Sequence, residues 1–132
     1  MLNEEMRRLL IQKALEVRQR AYAPYSNYLV GAALLTASGQ VFTGVNIENG
    51  AYPTTICAER VAVFKAVSEG ERDFVAIVAA TEDGGSPCGS CRQVLSEFGL
   101  ETLVIIVNQA GSVTLEASVS ELLPGAFRLR AA

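Results

Sequence analysis

The chain has three cysteines and no histidine, and the cysteines occur in only two places. Cys57 opens the run Cys57-Ala58-Glu59-Arg60. Cys88 and Cys91 sit in Pro87-Cys88-Gly89-Ser90-Cys91-Arg92-Gln93. Both runs lead into helical patterns, and residues three apart at a helix start share a face, so Cys88 and Cys91 lie within reach of one ion. Three thiolates suit Zn²⁺. Three protein ligands leave a tetrahedral ion one open position, which is the pattern of a catalytic site, whereas a fourth cysteine would close it. Glu59 lies roughly 200° around an ideal helix from Cys57, badly placed to chelate beside it. It is better placed to overhang the open position and handle protons. Helix N-termini favour thiolates, and three of them on Zn²⁺ give a net charge of −1. Arg60 could offset that charge by donating to the sulfurs, although an exposed helical arginine fits the spacing equally well.

Taken in order, the chain predicts a first helix from about Asn3 to Ala21. Met6, Leu9, Leu10, Lys13, Ala14 and Val17 recur at helical spacing, Asn3 is a plausible N-cap and Pro24 forbids continuation. Tyr28–Leu35 reads as a buried strand, and Ser38-Gly39 turns the chain back into Val41–Val45. The small residues Gly31 to Ala33 point to a close neighbour, such as a helix packed on the sheet. In the extended segment that follows, Asn46 and Glu48 face one way and Ile47 the other, toward the core. An amide beside a carboxylate can grip sugar hydroxyls, though two ordinary polar residues at a strand end would look the same.

Cys57 to Glu69 reads as a second helix ended by Gly70. Phe74–Ala80 is an apolar run suited to a strand covered on both faces. Ser86-Pro87 reads as the cap and start of a third helix running to about Phe98. Leu103–Val107 and Val113–Leu115 are further strands, and Ser118-Val119-Ser120-Glu121 is a capping box for a short final helix. Strands and helices alternate without repeats or linkers, so the expected fold is a three-layer α/β/α sandwich, one domain over residues 1–132.

Several function classes are disfavoured. A net charge of −3 with no basic run argues against a polynucleotide partner. The start Met1-Leu2-Asn3-Glu4-Glu5 is acidic where a signal peptide would be basic and then apolar. Apolar runs of six or seven residues are too short to span a membrane, and reduced thiols fit the cytoplasm. Half the residues are apolar, which we read as surface reserved for subunit contacts, with an unusually apolar monomer core as the other reading. For the cysteines, the other readings are a structural zinc module and a thiol-redox protein using Cys88-Gly89-Ser90-Cys91. The third cysteine with its neighbouring glutamate weighs against both.

Cys57-Ala58-Glu59 followed by Pro87-Cys88-Gly89-Ser90-Cys91 resembles the zinc-dependent nucleoside and nucleobase deaminases, with Cys57 standing where their signature can have histidine. Ala23-Pro24-Tyr25-Ser26, Val30-Gly31-Ala32-Ala33, Asn46-Ile47-Glu48-Asn49 and Leu122-Leu123-Pro124-Gly125-Ala126-Phe127 narrow the resemblance to the small cytidine deaminases. It covers nearly the whole chain and implies a five-stranded mixed sheet in the order 2-1-3-4-5. It implies one Zn²⁺ per chain on Cys57, Cys88 and Cys91, with Arg60 donating to the sulfurs and Glu59 shuttling the proton as water attacks C4 of cytosine. Asn46 and Glu48 are implied to bind ribose, and Ala58 to line the substrate site. Tyr28 falls where the family usually has a phenylalanine beside the base, and Phe127 is implied to cover the base of a neighbouring subunit. The implied function is hydrolysis of cytidine and deoxycytidine to their uracil counterparts plus ammonia, in pyrimidine salvage, by a cytoplasmic homotetramer with shared active sites. A deaminase of a cytosine-containing antibiotic of the blasticidin type shares the zinc motifs, and Asn46-Ile47-Glu48-Asn49 favours a plain ribose or deoxyribose over it.

Overall fold

The computed structural model describes residues 2–129, so Met1 and residues 130–132 of the expected domain lie outside the described residues. Five strands form one sheet: β1 (Gly31–Thr36), β2 (Val41–Val45), β3 (Phe74–Ala80), β4 (Leu103–Val107) and β5 (Val113–Ser118). Their order is β2-β1-β3-β4-β5, as the resemblance implied. Only the β3–β4 pair is parallel, with Val78 opposite Ile105; β2–β1, β1–β3 and β4–β5 are antiparallel.

Alternation along the strands sorts their side chains into two cores. On one face Ala33, Leu35, Ala76, Val78, Ile105 and Val107 pack with Leu10 and Ala14 of α1 (Glu4–Arg18). On the other, Ala32, Leu34, Ile77, Ala79, Val104 and Ile106 meet Ala62, Val63 and Ala66 of α2 (Ala58–Ser68), Leu95 of α3 (Gly89–Phe98) and Val119 of α4 (Val119–Leu122). This is the expected three-layer arrangement. Gly31 and Gly44 are where helix backbone comes closest. A Cβ on Gly31 would lie 2.2 Å from the Ala14 carbonyl oxygen of α1, and one on Gly44 would lie 2.5 Å from that of Ala58 in α2.

Two element starts differ from expectation. The first strand begins at Gly31 rather than Tyr28, because the Asn46 side chain claims the Tyr28 carbonyl (2.8 Å) and the Val30 amide (2.9 Å). Ser86-Pro87 does not open the third helix. Cys88 is its N-cap, with its sulfur accepting the Cys91 amide at 3.5 Å. Arg92 holds Ser86-Pro87 outside the helix, donating to the Pro87 carbonyl (2.9 Å) and Ser86 Oγ (3.1 Å). Asn3 does cap the first helix, accepting the Met6 amide at 2.7 Å, and the Ser118–Glu121 capping box is present. No helix of the described residues is long and apolar enough to cross a membrane.

Candidate functional site

α2 and α3 start side by side at one end of the sheet, and each start carries cysteine. Cys57 is the N-cap of α2, Cys88 that of α3, and Cys91 lies in the first turn of α3. The three sulfurs all lie within 4.8 Å of one another, with Cys57–Cys88 at 3.9 Å and Cys88–Cys91 at 3.5 Å. Sulfurs at two corners of a tetrahedron around zinc, each about 2.3 Å from the ion, stand about 3.8 Å apart. The sulfurs therefore fit one Zn²⁺.

Negative charge settles first on Cys57. The Cys57 thiol is pulled down to about 5, first by the hydrogen bond from Cys91 and, against desolvation, by the Arg60 guanidinium. Cys91 moves the other way, held in its protonated form as donor to Cys57 and by burial. Arg60 Nη2 donates to Cys57 Sγ at 3.3 Å, so it is not merely a solvated helical arginine. Its Nε is buried without a hydrogen-bond partner among the described residues.

A cleft of about 270 Å³ opens over the sulfurs, with Tyr28, Asn46, Glu48, Ala58 and Glu59 among its walls. Glu59 is 7% exposed, and burial foremost pushes its carboxyl up to about 7, aided by the nearby Cys57 thiolate. A carboxyl balanced there can accept and return a proton at neutral pH.

The segment 46–48 keeps its expected alternation but reverses its polarity. Asn46 and Glu48 are the buried pair, while Ile47 is 43% exposed and not in the core. The reason is that Ile47 supplies backbone, bridging to Tyr22 and Ile56, while its neighbours are needed inside. Glu48 accepts from the amides of Tyr25 (2.9 Å) and Ser26 (3.2 Å), from the Ser26 hydroxyl, and from Tyr52 Oη at 3.4 Å. These donors, the Ser26 hydroxyl first, hold its carboxyl below the usual range against the opposing effect of desolvation. Asn46 spends its oxygen and one N–H on the backbone of Val30 and Tyr28, which leaves one amide hydrogen uncommitted.

Phe127 is not brought to this cleft. It is 68% exposed, and its carbonyl accepts from Gln93 Nε2 at 3.1 Å. Sequence reasoning missed Thr81, Ser86 and Pro87 as walls, and Ser26 and Tyr52 as walls that also hold Glu48. Ser26 stands in the Ala-Pro-Tyr-Ser run, which could have flagged it; Tyr52 opens a single 3₁₀ turn, Tyr52–Thr54, with no pattern to mark it.

The family model described as the cytidine and deoxycytidylate deaminase zinc-binding region matches residues 4–107. A cytidine deaminase from Halalkalibacterium halodurans is 53% identical, over 92% of this chain and 93% of its own. The crystal structure of a cytidine deaminase from Burkholderia pseudomallei superposes with a TM-score of 0.88 at 44% identity, covering 96% of this chain and 100% of that one. A blasticidin-S deaminase from Bacillus cereus is 33% identical, over 72% of this chain and 74% of its own.

Proposed function

The chain belongs to the zinc-binding cytidine and deoxycytidylate deaminase family, and from that premise we propose the part each of its residues plays. Its reaction is the zinc-dependent hydrolytic deamination of cytidine. The single observation that carries the assignment of roles is the convergence of three sulfurs in one cleft with a buried Glu59 whose carboxyl is raised toward neutrality. A purely structural zinc knot has no use for that carboxyl, and a thiol-redox pair has no use for the third sulfur.

Cys57, Cys88 and Cys91 would hold the ion, and Arg60 would offset their negative charge through Cys57. Zinc, when bound, supplies a Lewis acid that makes water a nucleophile near neutral pH. Glu59 takes the water's proton on a carboxylate oxygen and delivers it to N3 of the ring, then takes the proton of the new C4 hydroxyl and passes it to the amino nitrogen, which leaves as ammonia as C4 becomes a carbonyl. Across the reaction a C4–O bond forms and the C4–N bond breaks. Glu48 and the spare Asn46 N–H take the sugar hydroxyls, which accounts for a carboxylate buried in a cleft wall with no basic partner among the described residues. Tyr28 and Ala58 line the base.

Deoxycytidine is the second substrate of the same site, and the reaction serves pyrimidine salvage. The three free thiols favour a reducing cytoplasm. The active assembly is a homotetramer in which Phe127 covers the base in a neighbouring subunit. Its exposure, with that of Tyr22, Tyr52 and Phe64, supports this. The test pairs zinc content per chain with ammonia release from cytidine, deoxycytidine and blasticidin S. One zinc per chain and rapid release from the first two support the reading. Zinc without cytidine turnover, or preference for blasticidin S, contradicts it.

A further inference from the structure

Tyr28 is held at three atoms. Its amide donates to Ser26 Oγ at 3.0 Å, its carbonyl accepts from Asn46 Nδ2 at 2.8 Å, and its hydroxyl donates to Asp83 Oδ1 at 2.7 Å. Ser26 Oγ in turn donates to Glu48, at the proposed sugar end of the cleft. On the far side, Asp83 Oδ1 accepts from Thr81 Oγ1 at 3.4 Å. Thr81 Oγ1 accepts the amides of Gly84 (2.7 Å) and Gly85 (3.0 Å), and Thr114 Oγ1 fixes the Gly84 carbonyl at 2.8 Å. The loop so fastened runs directly into Pro87 and Cys88. A Cβ on Gly85 would come within 2.9 Å of Tyr28 Oη, so ring and loop already touch as closely as glycine allows.

We propose that Tyr28 and Asp83 form a strap across the cleft, and that Asp83 is a positioning residue for nucleoside binding. Tyr28 lines the cleft and Asp83 does not, so Asp83 acts through the tyrosine ring and the 81–87 loop. The strap spans the two ends of the site: Glu48 and Ser26 on one side, the loop leading to Cys88 on the other. A phenylalanine could line the cleft as well as Tyr28 does, but it could not make this bond. The carboxylate strengthens the bond as a charged acceptor, although Asp83 is exposed and solvent weakens the gain. Nothing in the strap reaches Glu59 or donates to a sulfur. Arg92 anchors Ser86 and Pro87 independently of the strap, between its loop and Cys88, so the effect falls on the fit of the nucleoside rather than on proton transfer or metal binding. The inference rests on the cleft being the nucleoside site.

The test compares Y28F, D83A, D83N and the Y28F/D83A double variant as zinc-loaded proteins. Y28F and D83A each raise the cytidine KM about three- to tenfold, with kcat within about twofold and zinc retained. The double variant is no worse than either single one, because both remove the same bond. D83N regains most of the loss, since an amide oxygen still accepts from the tyrosine. Amide hydrogen exchange at Gly84 and Gly85, read without substrate, quickens in Y28F and D83A. An unchanged KM with unchanged exchange overturns the strap, as does additivity of the two substitutions. A parent that fails to deaminate cytidine refutes the reading of the cleft instead, and the exchange data alone then decide whether the strap exists.

Discussion

Gly44 lies in β2, opposite Ala32, with the first turn of α2 packed over it. A Cβ there would stand 2.5 Å from the Ala58 carbonyl oxygen and 2.6 Å from the Ala62 amide nitrogen, both rigid helix backbone. Reaching ordinary contact at 3.4 Å means moving the start of α2 by at least about 0.9 Å. Ala58 follows Cys57 directly, so one of the three sulfurs moves with it. Zinc–ligand distances tolerate only about 0.2 Å. Gly44→Ala should therefore weaken zinc binding at least about tenfold, the scale seen when ligand orientation alone is disturbed, and deamination should fall with it. Gly31→Ala is the control. Its Cβ would lie 2.2 Å from the Ala14 carbonyl oxygen, an equally bad clash, but against α1, which carries no site residue. Overpacking costs about 1–3 kcal/mol in either case, so both variants melt earlier. The assay is a competitive chelator titration well below both melting temperatures, alongside steady-state deamination. If Gly44→Ala holds zinc as tightly as Gly31→Ala does, the start of α2 does not set the position of Cys57 and the argument fails.

Glu59→Gln should keep zinc and fold while lowering kcat by at least about 10²-fold, the usual worth of a placed proton shuttle; near-parental turnover would send the proton through another group. Glu48, its carboxyl held low by Ser26, Tyr25 and Tyr52, contributes stability that is present at neutral pH and lost as pH falls through its depressed folded value. Glu48→Gln should flatten that acid loss in a melting-temperature profile and weaken cytidine binding without releasing zinc; an unaltered profile would count against the donor cluster. Phe127→Ala should raise KM with zinc retained. Mixing it with Glu59→Gln chains should restore near-normal affinity in some hetero-oligomers, and no recovery despite proven subunit exchange would place Phe127 outside its neighbour's site.

The three-sulfur cluster was legible because the chain offers no histidine and no other thiol, and helix starts at Cys57 and Cys88 give their thiols a common direction. The sheet was legible because Phe74–Ala80 and Leu103–Val107 are apolar on both faces, which only covered strands tolerate. What could not be read depended on partners distant in sequence. Asn46 turns back on Tyr28 and Val30, which ends the ladder early and buries a polar pair where periodicity placed Ile47 inside. Arg92 draws Ser86-Pro87 away from the helix their residue types favour. Tyr28 and Asp83 meet across 55 positions, and no local pattern marks either for the other. The direction of Phe127 was not available from periodicity either, since it stands 68% exposed in an irregular segment after the last helix.

Zinc K-edge X-ray absorption on the loaded protein reads the ligand shell of the proposed open three-sulfur zinc site beside Glu59. Three sulfur scatterers at about 2.3 Å and a single oxygen or nitrogen neighbour are expected, unchanged in Glu59→Gln. Four sulfurs, or a shell mainly of oxygen and nitrogen, would contradict it.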